Sequence, residues 1–378
     1  MANIVILGAG RIGKAIAIDL AQQHSVVSVD HDHAALEELL QNNPAIQPVQ
    51  FDLLDSQQLA ATIKPMDLVI SAVPGFMGFD ILKQVINSKK NVVDISFFPE
   101  DSLALDQLAK QQQVTAVVDM GIAPGMSNLI LGFHNQHMQV NEFKCMVGGL
   151  PKNPQPPFNY KAPFSPVDVI EEYTRPARIV INGKQLTRPA LSDIETVELP
   201  RAGKLEAFNT DGLRTLLTSM PTIPTMVEKT LRYPGHAALI QTLQSIGFFS
   251  TNPITEIGQH IRPLDITAQL LKKHWLLEKN EVEFTVMRID ISGTEQDKPV
   301  SYQYDLYDEY DPVTQTTSMA RTTGYACTAA ANLILENKFA AAGVSPPEII
   351  GGNWRCYEFI MTYLKQRNII FSQQRTEN

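Results

Sequence analysis

The feature that most constrains this chain is the alternation in its first 120 residues. Apolar, β-branched runs occur at Ile4–Leu7, Val26–Val29, Leu68–Ile70, Val92–Ile95 and Val114–Val118, with a weaker one near Ile46–Phe51. Helical patterns separate them at Lys14–Gln22, Ala34–Leu40 and Leu103–Gln111. Strand, helix, strand in repetition builds a parallel sheet with right-handed crossovers. Six such runs predict an α/β fold with a complete, doubly wound Rossmann domain at the N-terminus.

The first strand runs directly into Gly8-Ala9-Gly10-Arg11-Ile12-Gly13 and then a helix. In this setting Gly8 allows the tight turn, Gly10 lets backbone approach a pyrophosphate, and Gly13 lets helix and strand pack closely. The diphosphate is expected on the free N–H groups of the helix N-terminus. Asp30 ends the second strand, 22 residues after Gly8. A carboxylate there accepts hydrogen bonds from ribose hydroxyls and repels a 2′-phosphate. His31 and Asp32 follow, with no arginine, so NAD is expected over NADP. The alternative is that Asp30 only caps the next helix. Ser71-Ala72-Val73-Pro74-Gly75 ends another strand with small residues, which leaves room for a cofactor.

The pattern changes after Asp119. Six prolines between Pro151 and Pro166 forbid helix interior and central strand, so a rigid loop is expected there. Val282–Ile291 and Tyr302–Leu306 read as a hairpin. Gly324–Glu336 and Tyr357–Gln366 read as helices. The expected organisation is a dinucleotide-binding domain of residues 1–124 completed by the C-terminal helices of 320–378. An α+β substrate-binding and dimerisation domain is expected over 125–319.

Composition narrows the function class. With 31 basic and 40 acidic residues the net charge is −9, which argues against nucleic-acid or anionic-membrane partners. No apolar stretch reaches the roughly 18 residues of a membrane span. No basic leader precedes the first strand. Cys145, Cys327 and Cys356 form no CxxC pair, which fits a cytoplasmic protein without a disulfide framework. No cluster has metal-ligand spacing, and a GxSxG elbow is absent.

The Gly8–Gly13 fingerprint, Ala72-Val73-Pro74, the Asp94–Ser96 strand end and Gly121–Gly125 occur in order. Gly148-Gly149-Leu150-Pro151 and Thr230–His236 follow them. In these motifs the chain resembles the saccharopine dehydrogenase family. Phe164–Tyr173 and Leu205–Gly212 are similar to its lysine 6-dehydrogenase subgroup. The resemblance implies oxidation of a C–N bond at a lysine-derived amine, with hydride passed to NAD(P), and association into homo-oligomers. Saccharopine reductases carry an acid where this chain has Ala123, which shifts weight towards lysine as substrate. Saccharopine and carboxynorspermidine remain alternatives, as does a non-catalytic NAD-binding regulator. Ser96, Gly121, Pro124, Gly125 and Asn128 join the expected cofactor site.

For a substrate carboxylate the first choice is Arg232, whose guanidinium can fork onto it. Tyr160, Lys161, Arg175 and Thr210 are weaker substrate-binding candidates. For the proton acceptor His236, Asp211 and Asp94 compete, with Glu171, Glu172 and Asp119 behind them. The residues alone do not choose among them.

Overall fold

The computed structural model describes residues 1–162, 166–254, 261–278 and 281–377, with backbone only at 166 and 167. Pro163, Phe164 and Ser165 of the proline-rich stretch lie outside the described residues.

In chain order the elements begin with β1 (Asn3–Leu7), α1 (Arg11–Leu20), β2 (Ser25–Asp30), α2 (His33–Asn42), β3 (Gln47–Gln50), α3 (Ser56–Ile63), β4 (Leu68–Ser71) and α4 (Gly75–Asn87). There follow β5 (Val92–Asp94), α5 (Asp106–Gln112), β6 (Thr115–Val117), α6 (Met126–His134), β7 (Gln139–Pro151), α7 (Pro166–Thr174), β8 (Ala177–Ile181) and β9 (Lys184–Arg188). Next are β10 (Glu195–Leu199), β11 (Gly203–Asn209), α8 (Leu216–Ser219), β12 (Thr225–Arg232), α9 (His236–Ser245), α10 (Pro263–Trp275), β13 (Glu283–Glu295) and β14 (Lys298–Glu309). The last are α11 (Ser318–Leu335), β15 (Gly343–Ser345), α12 (Pro347–Gly351), α13 (Trp354–Gln366) and β16 (Phe371–Glu377).

Two compact units result. The first comprises Met1–Gln139, Arg214–Met220 and Ala320–Ile370. Its sheet has the order β15-β6-β5-β4-β1-β2-β3, and Ile4 pairs in parallel with both Val26 and Leu68. Both faces of such a sheet are covered, which is why its strands read as unbroken apolar runs. Val5, Leu7, Val69, Val92 and Ala116 form its buried centre with Ile81, Leu82 and Val85 of α4. The strand order reverses beside β1, so the C-terminal ends of β1 and β4 flank the ligand crevice of a doubly wound sheet.

The second unit comprises Val140–Leu213, Pro221–Met319 and Phe371–Asn378. Its sheet runs β10-β11-β12-β7-β13-β14-β16, and β8 pairs with β12 and β9. The β13–β14 hairpin is longer than the sequence pattern shows. It closes on Gln296 and Asp297, both at positive φ, as a two-residue hairpin turn requires. Trp275, Tyr173, Phe208 and Phe284 lie in its core.

The bounds differ from the expected 1–124 with 320–378 and 125–319. Helix α6 stays with the first unit because Asn128 donates to Glu348 of α12. The C-terminal contribution to that unit is not helical alone, since β15 pairs in parallel with β6. Residues 371–377 leave it to pair antiparallel with β14. Three residues of strand, and a polar edge strand, carry no periodicity to read.

Candidate functional site

In the first unit the glycine-rich turn joins β1 to α1. Gly8 has φ +104°, and a Cβ there would stand 2.5 Å from the Ala72 carbonyl oxygen. A Cβ on Gly13 would stand 2.0 Å from the Gly8 oxygen. The fold itself demands both glycines. A Cβ on Gly10 meets nothing within 4 Å, so packing does not explain that residue. Gly10 is the N-cap of α1, with no side-chain cap, and no acid stands in the first turn. Those N–H groups and the helix dipole form a cradle for an anion. The Gly10→Ala variant should keep the wild-type melting temperature and bind a dinucleotide about tenfold or more weakly, one lost backbone contact. Gly8→Ala should instead lower the melting temperature. Calorimetry with nucleotide titration reads both, and unchanged binding by Gly10→Ala would remove the cradle.

Asp30 does not cap α2; Asp32 does, accepting from the Ala34 N–H at 2.9 Å. Asp30 Oδ2 instead accepts from Ala9 N–H at 2.7 Å, and Oδ1 from Asp32 N–H at 2.9 Å. The carboxylate is thereby fixed beside the glycine-rich turn, with lone pairs to spare. Ala72, Val73 and Pro74 follow β4, and Pro74 is the N-cap of α4.

Asp94, at the end of β5, is fully buried. It accepts from the Ser96 N–H at 2.9 Å and hydroxyl at 3.1 Å, and Ser96 Oγ lies 3.4 Å from Ser71 Oγ. Burial pushes its pKa up to about 7, hydroxyl and N–H donors oppose the rise, and Asp119 adds to it. Asp119 receives Arg214 Nε at 2.8 and 2.9 Å. Gly121, Pro124 and Gly125 form the turn into α6, where Gly125 is the N-cap. Asn128 is not a cap: it accepts from Ser127 Oγ and donates to Glu348 Oε2 at 3.3 Å.

In the second unit the sequence candidates fall into two clusters. Arg232 is 2% exposed at the end of β12. Its Nε donates to Tyr173 Oη at 2.9 Å, Nη2 to Glu172 Oε2 at 2.8 Å, and Nη1 to the Leu231 carbonyl. It lies 4.4 Å from the Tyr160 ring centroid. A carboxylate of the chain itself, from α7, thus occupies the fork expected to hold the substrate. Arg232 can only donate to Tyr173, so the tyrosine proton goes to His236 Nε2 at 2.9 Å. His236 Nδ1–H then points to the Phe158 carbonyl at 2.8 Å. Burial and the neighbouring guanidinium lower the His236 pKa to about 3, against the pull of that carbonyl. The near-neutral titration expected of His236 is absent: both nitrogens are engaged and the ring stays neutral.

The other cluster surrounds Glu228. Asp211, expected as a proton acceptor, is held bidentately by Arg178 at 2.8 Å and 2.8 Å. Thr210 Oγ1 donates to Glu228 Oε2 at 2.6 Å and lies 2.9 Å from Thr230 Oγ1. Burial raises the Glu228 pKa to about 8; Thr210 opposes this, and Glu172 and Asp211 add to it. Lys161 reaches the Leu276 carbonyl at 3.1 Å, and Arg175 pairs with Glu171 at 3.2 Å.

Glu228 should make stability pH-dependent. Below about pH 4.5 it is protonated in both folded and unfolded chains. Between there and about 8 only the folded chain keeps the proton, so stability falls as pH rises. Glu228→Gln should match wild type at pH 4 and exceed it at pH 8, by on the order of a few kcal/mol. Denaturant unfolding at both pH values reads this, and equal gaps would refute it.

Sequence reasoning missed Glu228, Arg214 and Glu348. A single acid in the mixed strand Thr225–Arg232 or a lone arginine two residues after Gly212 carries no spacing signal. Among the described residues, no group of three or more His, Cys, Asp or Glu could hold a metal ion. No helix among them is long and apolar enough to cross a membrane.

A seven-stranded parallel sheet with an uncapped, glycine-rich β1–α1 turn defines a Rossmann-type α/β protein. Residues 4–117 match the model of the saccharopine dehydrogenase NADP binding domain, and 121–370 that of the saccharopine dehydrogenase C-terminal domain. The chain belongs to the saccharopine dehydrogenase family. It is 27% identical over 314 residues to alpha-aminoadipic semialdehyde synthase of Arabidopsis thaliana, covering 72% of this chain and 29% of that protein. It is 26% identical over 265 residues to saccharopine dehydrogenase [NADP(+), L-glutamate-forming] of Pyricularia oryzae, covering 67% and 59%. The chain thus spans less than two thirds of the length of these relatives. Apo saccharopine dehydrogenase (L-Glu forming) from Saccharomyces cerevisiae has the same fold, with TM-score 0.79, 19% identity and complete coverage of both chains.

Proposed function

We propose that this chain is a nicotinamide-dependent oxidoreductase acting on the C–N bond of lysine or a lysine-derived amine. The observation that carries the reading is the uncapped α1 N-terminus under Gly8–Gly13, with Asp30 fixed beside it. A bound nicotinamide would supply the hydride acceptor for the carbon of that bond. The chain's own part is to bind and orient. The N–H groups of α1 would hold the diphosphate and Asp30 the adenosine ribose, and small residues at Ala72–Pro74 and Gly121–Gly125 would admit the rest. Asp94 would take the proton that the amine nitrogen gives up, as a carboxyl at the end of β5 that burial pushes up to about 7. The product is an imine, which water hydrolyses.

NAD is the proposed cofactor, on Asp30 and Asp32, although the matched domain and the relative from Pyricularia oryzae are named for NADP. Lysine is the proposed first substrate, on the resemblance of Leu205–Gly212 and on Ala123. The relatives' names favour saccharopine as the second reading. The functional split also follows: the first unit binds dinucleotide and the second binds substrate and, in a homo-oligomer, its partner copy. Purified protein with each nucleotide and with lysine, saccharopine or carboxynorspermidine, followed at the absorbance of reduced nicotinamide, tests the reading. Turnover of saccharopine but not lysine overturns the substrate choice. Tight nucleotide binding without turnover makes the chain a regulator.

A further inference from the structure

The segment Arg214–Met220 is flanked on both sides by residues of the second unit yet belongs to the first. Two polar anchors, Arg214 buried and Ser219 half-buried, hold it there. Arg214 Nε–H is shared between both oxygens of Asp119, and its Nη1 donates to the Phe98 carbonyl. Ser219 donates to Glu348 Oε1, whose other oxygen receives Asn128 at 3.3 Å. Asp119 precedes the turn through Gly121 and Gly125, and Asn128 follows it. Asp119 has φ +53° and Arg214 φ +45°. Both partners of the ion pair thus sit in the left-handed region, which side chains other than Asn and Asp rarely adopt.

We propose that Arg214 and Ser219 are positioning residues that hold the 120–128 turn from both ends, Arg214 through Asp119 and Ser219 through Glu348 and Asn128. This rests on the reading of that turn as part of the nicotinamide site. A single guanidinium ties the loop after β5, at Phe98, to the end of β6, at Asp119. It also offsets the charge of Asp119, the carboxylate that pushes the Asp94 pKa up. The charged group acting on Asp94 is Asp119 after β6, with the Ser71 and Ser96 hydroxyls donating, and Asp94 in turn acts on the Cys327 thiol of α11, which burial first and then that carboxyl push up. The two anchors therefore differ in kind. Arg214 acts by geometry and by charge, whereas Ser219 acts by geometry alone. A turn that must meet a ligand within a fraction of an ångström needs such second contacts.

The test compares Arg214→Gln, Ser219→Ala and Asp119→Asn/Arg214→Gln in the full chain. Amide exchange is read over residues 119–130, with the Kd for NAD and, where lysine is oxidised, the pH profile of kcat. Arg214→Gln should exchange faster across the whole turn, weaken NAD binding about tenfold, and move the acid limb of the profile to higher pH. Ser219→Ala should loosen only the α6 end and leave the limb in place. The double variant, which leaves no unpaired buried charge, should return the limb to or below its wild-type position while binding stays weak. Unchanged exchange over 119–130 in folded variants overturns the clamp. Faster exchange with wild-type Kd overturns the positioning role. A wild-type chain that binds no nicotinamide nucleotide defeats the functional reading instead, and exchange still judges the clamp.

Discussion

Asp30→Ser is expected to weaken NAD binding by about ten- to a hundredfold and to reduce the discrimination against NADP. A carboxylate hydrogen-bonded to a hydroxyl contributes about 1.5–3 kcal/mol, which is that range. The prediction is large because Asp30 is preset. Ala9 N–H and Asp32 N–H fix its two oxygens before any ligand arrives, so little side-chain freedom is lost on binding. A 2′-phosphate would meet Asp30 and the cap residue Asp32 together, and the serine removes the Asp30 share of that electrostatic cost. Titration with both nucleotides at one ionic strength measures it. Tighter binding of NADP than of NAD by the wild-type chain would sink the cofactor proposal and return the chain to the preference named in its relatives.

Arg232→Ala should cost about 3–5 kcal/mol of stability, the usual consequence of removing one partner of a buried ion pair. Glu172 would be left with its carboxyl desolvated, and burial already raises its pKa against the pull of Arg232. Tyr173 would lose the donor that directs its proton to His236. Denaturant unfolding reads the change directly. Tyr173→Phe should cost less, about 1–2 kcal/mol, because only hydrogen bonds are lost. An Arg232→Ala chain of normal stability with a strongly raised KM would restore the carboxylate-binding role the sequence suggested.

The first unit was legible because parallel strands buried on both faces leave contiguous apolar runs, and because Gly8–Gly13 and Asp30 act through local backbone geometry. The hairpin of β13 and β14 was legible for a similar reason, its alternation being local. Strand β15 and the return of β16 to the other sheet were not. Three residues, or a polar edge, have no period, and their partners β6 and β14 are far away in the sequence. The roles of the charged residues were harder still. Arg232, His236 and Asp211 look free on the page, and Glu228 looks like an ordinary strand residue.

By itself the sequence determined the Rossmann unit, the dinucleotide turn and the family, since each rests on contacts a few residues apart or on motifs read in order. Tertiary structure alone decided which charges are already spent within the chain. Glu172 occupies Arg232, Arg178 occupies Asp211, and burial lowers the His236 pKa while it raises those of Asp94 and Glu228. The physical reason is that charge state depends on desolvation and on partners dozens of residues away, and neither quantity is written in local spacing.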